Sequence, residues 1–362
     1  MDITTIDKNF SALKADENGF VFIDAQTPPF SLEGLPWLKE NKGVYYRMEL
    51  DSPGCNVNDG VKGLCWHTSG VCVRFRSDSP EIMLRAKLAN SCDMNHMPRA
   101  GSAGFDSFFR MPGKKLLYNK SLMPCPKQEE LTGVVGVNPD GKFCDWVINF
   151  PLYGGVEKVE IGLKVDSKLE APKKHKVKLP VLFYGSSITQ GGCASRPGNV
   201  YTSMLCRAVD AEQINLGFSG SARGELPMAD AINSLDLSVF VLDYDHNAPD
   251  VEHLQKTHEP FFKSIREKHP DLPIIMVSRC DFAYNSQEAV EVCRRRRAII
   301  RQTFDNAVKN GDKKVWFVDG ETLFGKDLRD CCTVDGCHPN DLGFYRMYQN
   351  ILPILKEALK SN

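Results

Sequence analysis

The chain is predicted to be an α/β protein: a parallel sheet covered by helices, preceded by an all-β sandwich or jelly-roll domain. Three observations carry that prediction. Before residue 170, apolar residues alternate with polar ones at a period of two, as they do in half-buried strands. From Val181 onward, short apolar runs alternate with amphipathic helical stretches, the pattern of a parallel sheet with helices on both faces. Between them lies Ala171–Pro180, which is basic and proline-bracketed and reads as an exposed linker. The expected division is a sandwich over residues 1–170, a linker over 171–180 and the α/β domain over 181–362. A length of 362 residues agrees with two domains, because a single core stops growing below that size.

Taken in order, the first 35 residues show no clear period and read as an arm or lead-in. Val71–Arg76 and Ile82–Leu88 alternate apolar and charged residues, and Val156–Leu163 does so less regularly. Turn clusters punctuate them at Ser77–Pro80, Met111–Lys114 and Asn138–Gly141, which is the rhythm of a sandwich. In the second half, strands are expected at Val181–Tyr184, Gln213–Leu216, Val239–Leu242, Ile274–Val277 and Val315–Val318. Helices are expected near Val200–Val209, Pro227–Ser234, Pro260–Lys268, Gln287–Val308 and Gly343–Leu359. In such sheets the loops at the carboxyl ends of the strands carry the chemistry.

The bulk numbers exclude several classes. A net charge of −1 gives no electrostatic case for nucleic acid or an anionic membrane. The run Arg294–Arg297 sits inside a helical pattern and reads as a solvated or salt-bridged face. The 13 cysteines are odd in number and follow no framework spacing. Residues 1–7 show no signal-peptide pattern, and no apolar run reaches the ~18 residues that span a bilayer. A reducing cytoplasm is therefore expected. Cys331, Cys332, Cys337 and His338 cluster without a CxxC pair, so no metal is expected. No organic cofactor is expected either: no G-x-G-x-x-G follows the first strand of the α/β domain. Oligomeric state leaves no mark in the sequence.

Two motifs stand at those strand ends. Tyr184-Gly185-Ser186-Ser187-Ile188-Thr189 follows the first α/β strand, and Asp335-Gly336-Cys337-His338 lies near the end of the chain. A serine hydroxyl is a weak nucleophile at neutral pH and needs an adjacent base. His338 is the candidate base, and Asp335, three residues before it, is placed to hold its other ring nitrogen. Two more loops lie between. Asn215-Leu216-Gly217-Phe218-Ser219-Gly220 offers the Gly220 N–H to an oxyanion, and Leu242-Asp243-Tyr244-Asp245-His246-Asn247 offers the Asn247 side-chain amide. With the Ser187 N–H these make three donors, each often worth ~3–4 kcal/mol in acyl transfer. Asp243, Asp245 and His246 are either rim residues that shape a substrate site or satisfied loop polars. Trp66-His67 and Asn95-His96 are loop histidines that could contact sugar or simply be satisfied where they lie.

These four blocks, in this order, resemble the SGNH (GDSL-type) hydrolases. The likeness covers the chain from about Val181 to its end and implies a flavodoxin-like three-layer fold. It also implies Ser187 as nucleophile, His338 as base, Asp335 as orienting acid, and Gly220 and Asn247 as oxyanion donors. Two blocks depart from the family pattern. Gly185-Ser186-Ser187 replaces Gly-Asp-Ser, which leaves Ser186 as the alternative nucleophile, and Asp243–Asn247 replaces Gly-x-Asn-Asp. Gly104-Phe105-Asp106-Ser107-Phe108-Phe109 resembles the GxDLY signature of a sandwich domain that precedes some bacterial members. The expected function is a serine ester hydrolase removing short acyl groups, acetyl above all, from a carbohydrate or small molecule. The alternatives are an acyltransferase using the same acyl-enzyme and an inert glycan-binding protein.

Overall fold

The period-2 runs of the first half fold into antiparallel strands. The computed structural model describes residues 15–49, 56–280 and 286–361; the segment 1–7, in which no signal peptide is read, lies outside them. Two compact units emerge. One comprises Met1–Tyr46, Trp66–Lys174 and Ser195–Gly198, the other Arg47–Cys65, His175–Ala194 and Asn199–Asn362. Two short stretches thus depart from the block division expected above: Arg47–Cys65 groups with the C-terminal unit and Ser195–Gly198 with the N-terminal one. Neither differs enough in composition to signal the exchange.

In the N-terminal unit the strands are β1 (Phe20–Asp24), β2 (Ser31–Glu33), β3 (Cys72–Ser77), β4 (Glu81–Leu88), β5 (Phe105–Arg110), β6 (Leu117–Leu122), β7 (Glu130–Val137), β8 (Cys144–Asn149), β9 (Val156–Lys164) and β10 (Leu169–Glu170). One sheet has the order β1-β9-β4-β7; the other runs β10-β3-β8-β5-β6, with β2 added on β3. Along β4 the alternation is clean, with Ile82, Leu84, Ala86 and Leu88 buried and Arg85 and Lys87 outside. Phe75, Phe105, Trp146 and Ile148 from one sheet join Ile82, Leu84, Ile161 and Leu163 from the other in a single core. Each such side chain contributes about 1.5–3 kcal/mol by leaving water. The lead-in expected over the first 35 residues contains an ordered strand instead, since β1 pairs with β9 along its whole length. Arg74, on the polar register of β3, is also buried. Glu33 of β2 meets it at 2.8 Å, and it donates to the Lys173 carbonyl at 2.9 Å.

The C-terminal unit holds β11 (Val181–Gly185), β12 (Gln213–Gly217), β13 (Val239–Asp243), β14 (Ile274–Val277) and β15 (Val315–Val318). All pair in parallel, in the order β12-β11-β13-β14-β15. This 2-1-3-4-5 order is that of flavodoxin-like doubly wound sheets. β11 and β13 are buried at every residue, which is why they read as continuous apolar runs rather than alternating ones. Helices Tyr201–Val209 and Asp341–Lys360 pack together, while Leu226–Asn233, Val251–Lys268 and Gln287–Lys309 form a second group. Helix Val251–Lys268 begins well before the expected Pro260. Its N-cap is Asp250, whose side chain accepts from the His253 N–H, and Pro260 lies in its interior. Among the described residues, no helix is long and apolar enough to cross a membrane.

Strand register aligns the loops that matter. Gly185 at the end of β11 is level with Gly217 of β12 and Asp243 of β13. Three chain segments therefore leave the sheet side by side, about 4.8 Å from neighbour to neighbour.

Candidate active site

The chain turns sharply as it leaves β11. A Cβ on Gly185 would collide with Thr189 Oγ1 and the Asp243 carbonyl, so only glycine fits that exit. Ser186 then caps a single helical turn, Ser187–Gln190, its hydroxyl accepting from the Ile188 N–H at 3.2 Å. That turn escaped the sequence reading because four residues are too few to show a helical period. Ser186 is fully buried in this cap. Ser187, the first helical residue, instead has its Oγ 2.9 Å from His338 Nε2.

His338 sits in a tight loop. Thr333 and Pro339 pair as an isolated bridge, and the Val334 N–H donates to the His338 carbonyl at 2.9 Å. Gly336 takes φ +81° between them, the left-handed region that favours glycine. Asp335 Oδ1 accepts from the backbone N–H of His338 at 2.7 Å and of Cys337 at 3.0 Å, while Oδ2 lies 2.7 Å from His338 Nδ1. Partial burial opposes the charge on Asp335, but the His338 N–H, the His338 ring and the Cys337 N–H outweigh it and hold the carboxyl down to about 2. A carboxylate on Nδ1 fixes the hydrogen there. Nε2 is then the acceptor that faces the Ser187 hydroxyl.

Gly220 and Asn247 occupy the neighbouring loops. Gly220 is exposed, at φ +69°. Its neighbours are tied down: the Ser219 N–H donates to Gln190 Oε1 at 3.0 Å, and the Ala222 N–H donates to Asn247 Oδ1 at 3.4 Å. The second bond joins the two loops and orients the Asn247 amide. Among the described residues, neither the Gly220 N–H nor Asn247 Nδ2 has a protein partner. Both are donors available to an external oxygen.

Asp243 and Asp245 are buried, and His246 beside them is half-buried. Asp243 Oδ2 accepts from the Thr189 hydroxyl at 3.1 Å and the Tyr201 hydroxyl at 2.8 Å. Burial first, and the Asp245 charge second, push its carboxyl up to about 8. Burial likewise pushes Asp245 up to about 6, although the Arg279 N–H at 2.9 Å and the Arg279 and Arg296 charges oppose it. His246 sits between two thiols, with Cys280 Sγ at 3.8 Å from Nε2 and Cys337 Sγ at 3.9 Å from Nδ1. Burial, helped by the charges of Arg279, His338 and Arg296, holds it well below the usual imidazole range. Among the described residues, no group of three or more His, Cys, Asp or Glu side chains is arranged to hold a metal ion. His96, one of the two loop histidines, meets Asn95 Oδ1 at 3.2 Å.

Two supporting residues went unread in the sequence. Gln190 anchors the Gly220 loop as described. Arg296, inside the arginine run, is buried and donates to the carbonyls of Asp245 at 2.5 Å and Ala248 at 2.8 Å, holding the turn that carries Asn247. A signal existed: Arg296 falls in register with Cys293, Ile300 and Thr303, the buried stripe of its helix.

Comparisons with known proteins agree with this architecture. Residues 178–356 match the GDSL-like lipase/acylhydrolase family, and residues 20–169 match the GxDLY family, the N-terminus of SGNH-hydrolase-type esterases. A Bacteroides ovatus protein described as a GDSL-like lipase superposes with a TM-score of 0.85 at 27% identity, over 94% of this chain and 98% of its own. A salicylyl-acyltransferase from a tetracycline biosynthetic pathway gives 0.76 at 18% identity, over 94% and 98%. A family two carbohydrate esterase from Clostridium thermocellum, in complex with cellohexaose, gives 0.60 at 15% identity, over 88% and 99%. These last two speak to the fold alone. No curated protein matches the chain. The chain belongs to the GDSL-like lipase/acylhydrolase (SGNH) family of ester-hydrolysing enzymes, in the group whose α/β domain follows a GxDLY-type N-terminal domain.

Proposed function

We propose that this enzyme is a serine carboxylic esterase that uses Ser187, His338 and Asp335 to remove short acyl groups from an acylated carbohydrate or similar small molecule. The observation that carries the reading is the continuous chain of hydrogen bonds, Ser187 Oγ to His338 Nε2 at 2.9 Å and His338 Nδ1 to Asp335 Oδ2 at 2.7 Å. Ser187 Oγ attacks the ester carbonyl while His338 Nε2 takes its proton, and Asp335, ionised at any working pH, stabilises the imidazolium. The oxyanion that forms is held by the N–H groups of Ser187 and Gly220 and by Asn247 Nδ2. His338 returns the proton to the leaving alcohol. It then deprotonates a water that attacks the acyl-enzyme, releasing the acid and restoring Ser187.

Asp243, buried, and His246, half-buried, act in this reading as supports rather than substrate contacts. The choice of a short acyl group on sugar draws support from the carbohydrate esterases that share the fold. A second reading, acyl transfer to an alcohol, draws support from the salicylyl-acyltransferase of the same fold, because the acyl-enzyme would be common to both. A reducing cytoplasm is the compartment that suits a chain whose cysteines serve as thiols. A panel of acetylated sugars and short-chain esters, with products quantified in the presence and absence of an acceptor alcohol, tests the proposal. Release of free acid unaffected by the alcohol supports the hydrolase. Acyl transfer dominating over hydrolysis would replace it by the second reading.

A further inference from the structure

The segment Arg47–Cys65 belongs to the C-terminal unit although it precedes most of the sandwich in sequence. Two of its described residues, Arg47 and Asn58, hold β12 and the loop that follows it. Arg47 is fully buried, and its Nη1 donates to the carbonyls of Asn215 at 2.9 Å and Gly217 at 2.7 Å. Nη2 donates to the Leu64 carbonyl at 3.1 Å, and the guanidinium carbon lies 4.5 Å from the centroid of the Phe218 ring. β12 is an edge strand of its sheet, so these are carbonyls that no neighbouring strand satisfies. A planar guanidinium can serve several of them at once.

Asn58 holds the other end of the loop. Its Oδ1 caps the short helix Asp59–Leu64 by accepting from the Val61 N–H at 3.0 Å. Its Nδ2 donates to the Ser221 carbonyl at 3.0 Å and to Glu225 Oε2 at 2.5 Å. Gly60 lies against Ser221 so closely that a Cβ would collide with the Ser221 hydroxyl. The chain from Gly217 to Glu225 is thus pinned on both sides of Gly220, while Gly220 itself stays exposed and its N–H has no partner among the described residues.

The geometry points to Arg47 and Asn58 as positioning residues for the oxyanion donor Gly220, the two side chains together bracing the oxyanion loop. This rests on the reading of Gly220 as a donor to the Ser187 intermediate. The physical argument is one of placement. An exposed glycine with φ +69° and open space where a side chain would stand has no side-chain packing of its own to hold its N–H in one direction. A donor displaced by about 1 Å loses much of its effect on the transition state but little of its effect on ground-state binding.

The test uses the full chain and an activated short-chain ester, comparing the parent with Asn58→Ser, Arg47→Lys and Ser187→Ala. Serine caps a helix about as well as asparagine, so Asn58→Ser keeps the cap and removes only the donor to Ser221 and Glu225. Asn58→Ser should lower kcat about 10-fold, with KM within about twofold and Tm within a few degrees. Its affinity for a short alkyl boronic acid, which forms a tetrahedral adduct on an active serine, should fall by a similar factor. Arg47→Lys should behave in the same direction; if it does not fold, Asn58→Ser decides alone. A parental kcat in Asn58→Ser beside an inactive Ser187→Ala would overturn the proposal by itself. So would a kcat loss matched by the loss of folded protein, with boronate affinity unchanged. Full activity in Ser187→Ala would overturn the reading of the site, and this proposal with it.

Discussion

Asp243 provides a test in which a pH titration reports on burial beneath the site. Burial is the larger cause and the Asp245 charge the second, and together they push its carboxyl up to about 8 against hydrogen bonds from Tyr201 and Thr189. In the unfolded chain the same group titrates near its ordinary 3.8. Between these values the folded protein holds a proton that the unfolded chain has released. The stability that Asp243 contributes is therefore fully present below about pH 4 and falls as pH rises toward 8, by about 1.4 kcal/mol for each pH unit. Asp243→Asn replaces the carboxyl by a neutral group of the same shape and removes that slope. Groups present in both proteins, Asp245 included, cancel to first order in the comparison. From pH 5 to pH 7 the variant should gain about 2–3 kcal/mol on the parent, which corresponds to a Tm gap widening by about 5–10 °C for a unit of this size. Thermal unfolding of both proteins at the two pH values, followed by circular dichroism, measures it. A gap that stays constant between pH 5 and 7, or that moves in the parent's favour, would refute the account of Asp243 as a buried, proton-holding support.

Other outcomes follow from the same geometry. Asn247→Ala should lower kcat about 10²-fold with little change in KM, because its Nδ2 is an oxyanion donor in the proposed mechanism; steady-state kinetics on an activated ester checks this. Ser186→Ala should lose the cap on the Ile188 N–H, costing about 1 kcal/mol in denaturant unfolding, yet retain measurable esterase activity. In the N-terminal unit, fully buried Asp106 accepts from Arg196 at 2.6 Å, the Gly198 N–H at 3.0 Å and Asn149 at 2.8 Å. Asp106→Ala strands those donors and should cost about 3 kcal/mol, visible in calorimetry as a lower transition for that unit.

What the sequence discloses and what it hides divide along physical lines. β11, β13 and β14 were readable because each is buried at every residue and so is a short apolar run; Ile274–Val277 and Val315–Val318 were placed to the residue. Antiparallel β5 and β8 were harder. Trp146 and Phe105 are core residues, but Asp106 and Ser107 are buried beside them, which breaks the alternation a reader looks for. Pro260 misled by reading as a helix start, when the cap is ten residues earlier at Asp250. The serine and histidine blocks are local in sequence and stood out, since the Asp335–His338 contact spans three residues. The anchors of the oxyanion loop did not. Arg47 reaches β12 across more of the chain than any pattern search can follow, and Arg296 hid among three other arginines that mostly form surface ion pairs.

The central claim is that Ser187 carries the acyl group, and direct observation of that intermediate tests it most closely. The 362-residue chain would be mixed with an activated acetyl ester, quenched in acid within the first turnovers, digested and mapped by mass spectrometry. An acetyl adduct on Ser187, appearing with a burst of released alcohol and absent from Ser187→Ala, is the predicted result. An adduct on Ser186, or undiminished turnover by Ser187→Ala, would contradict it.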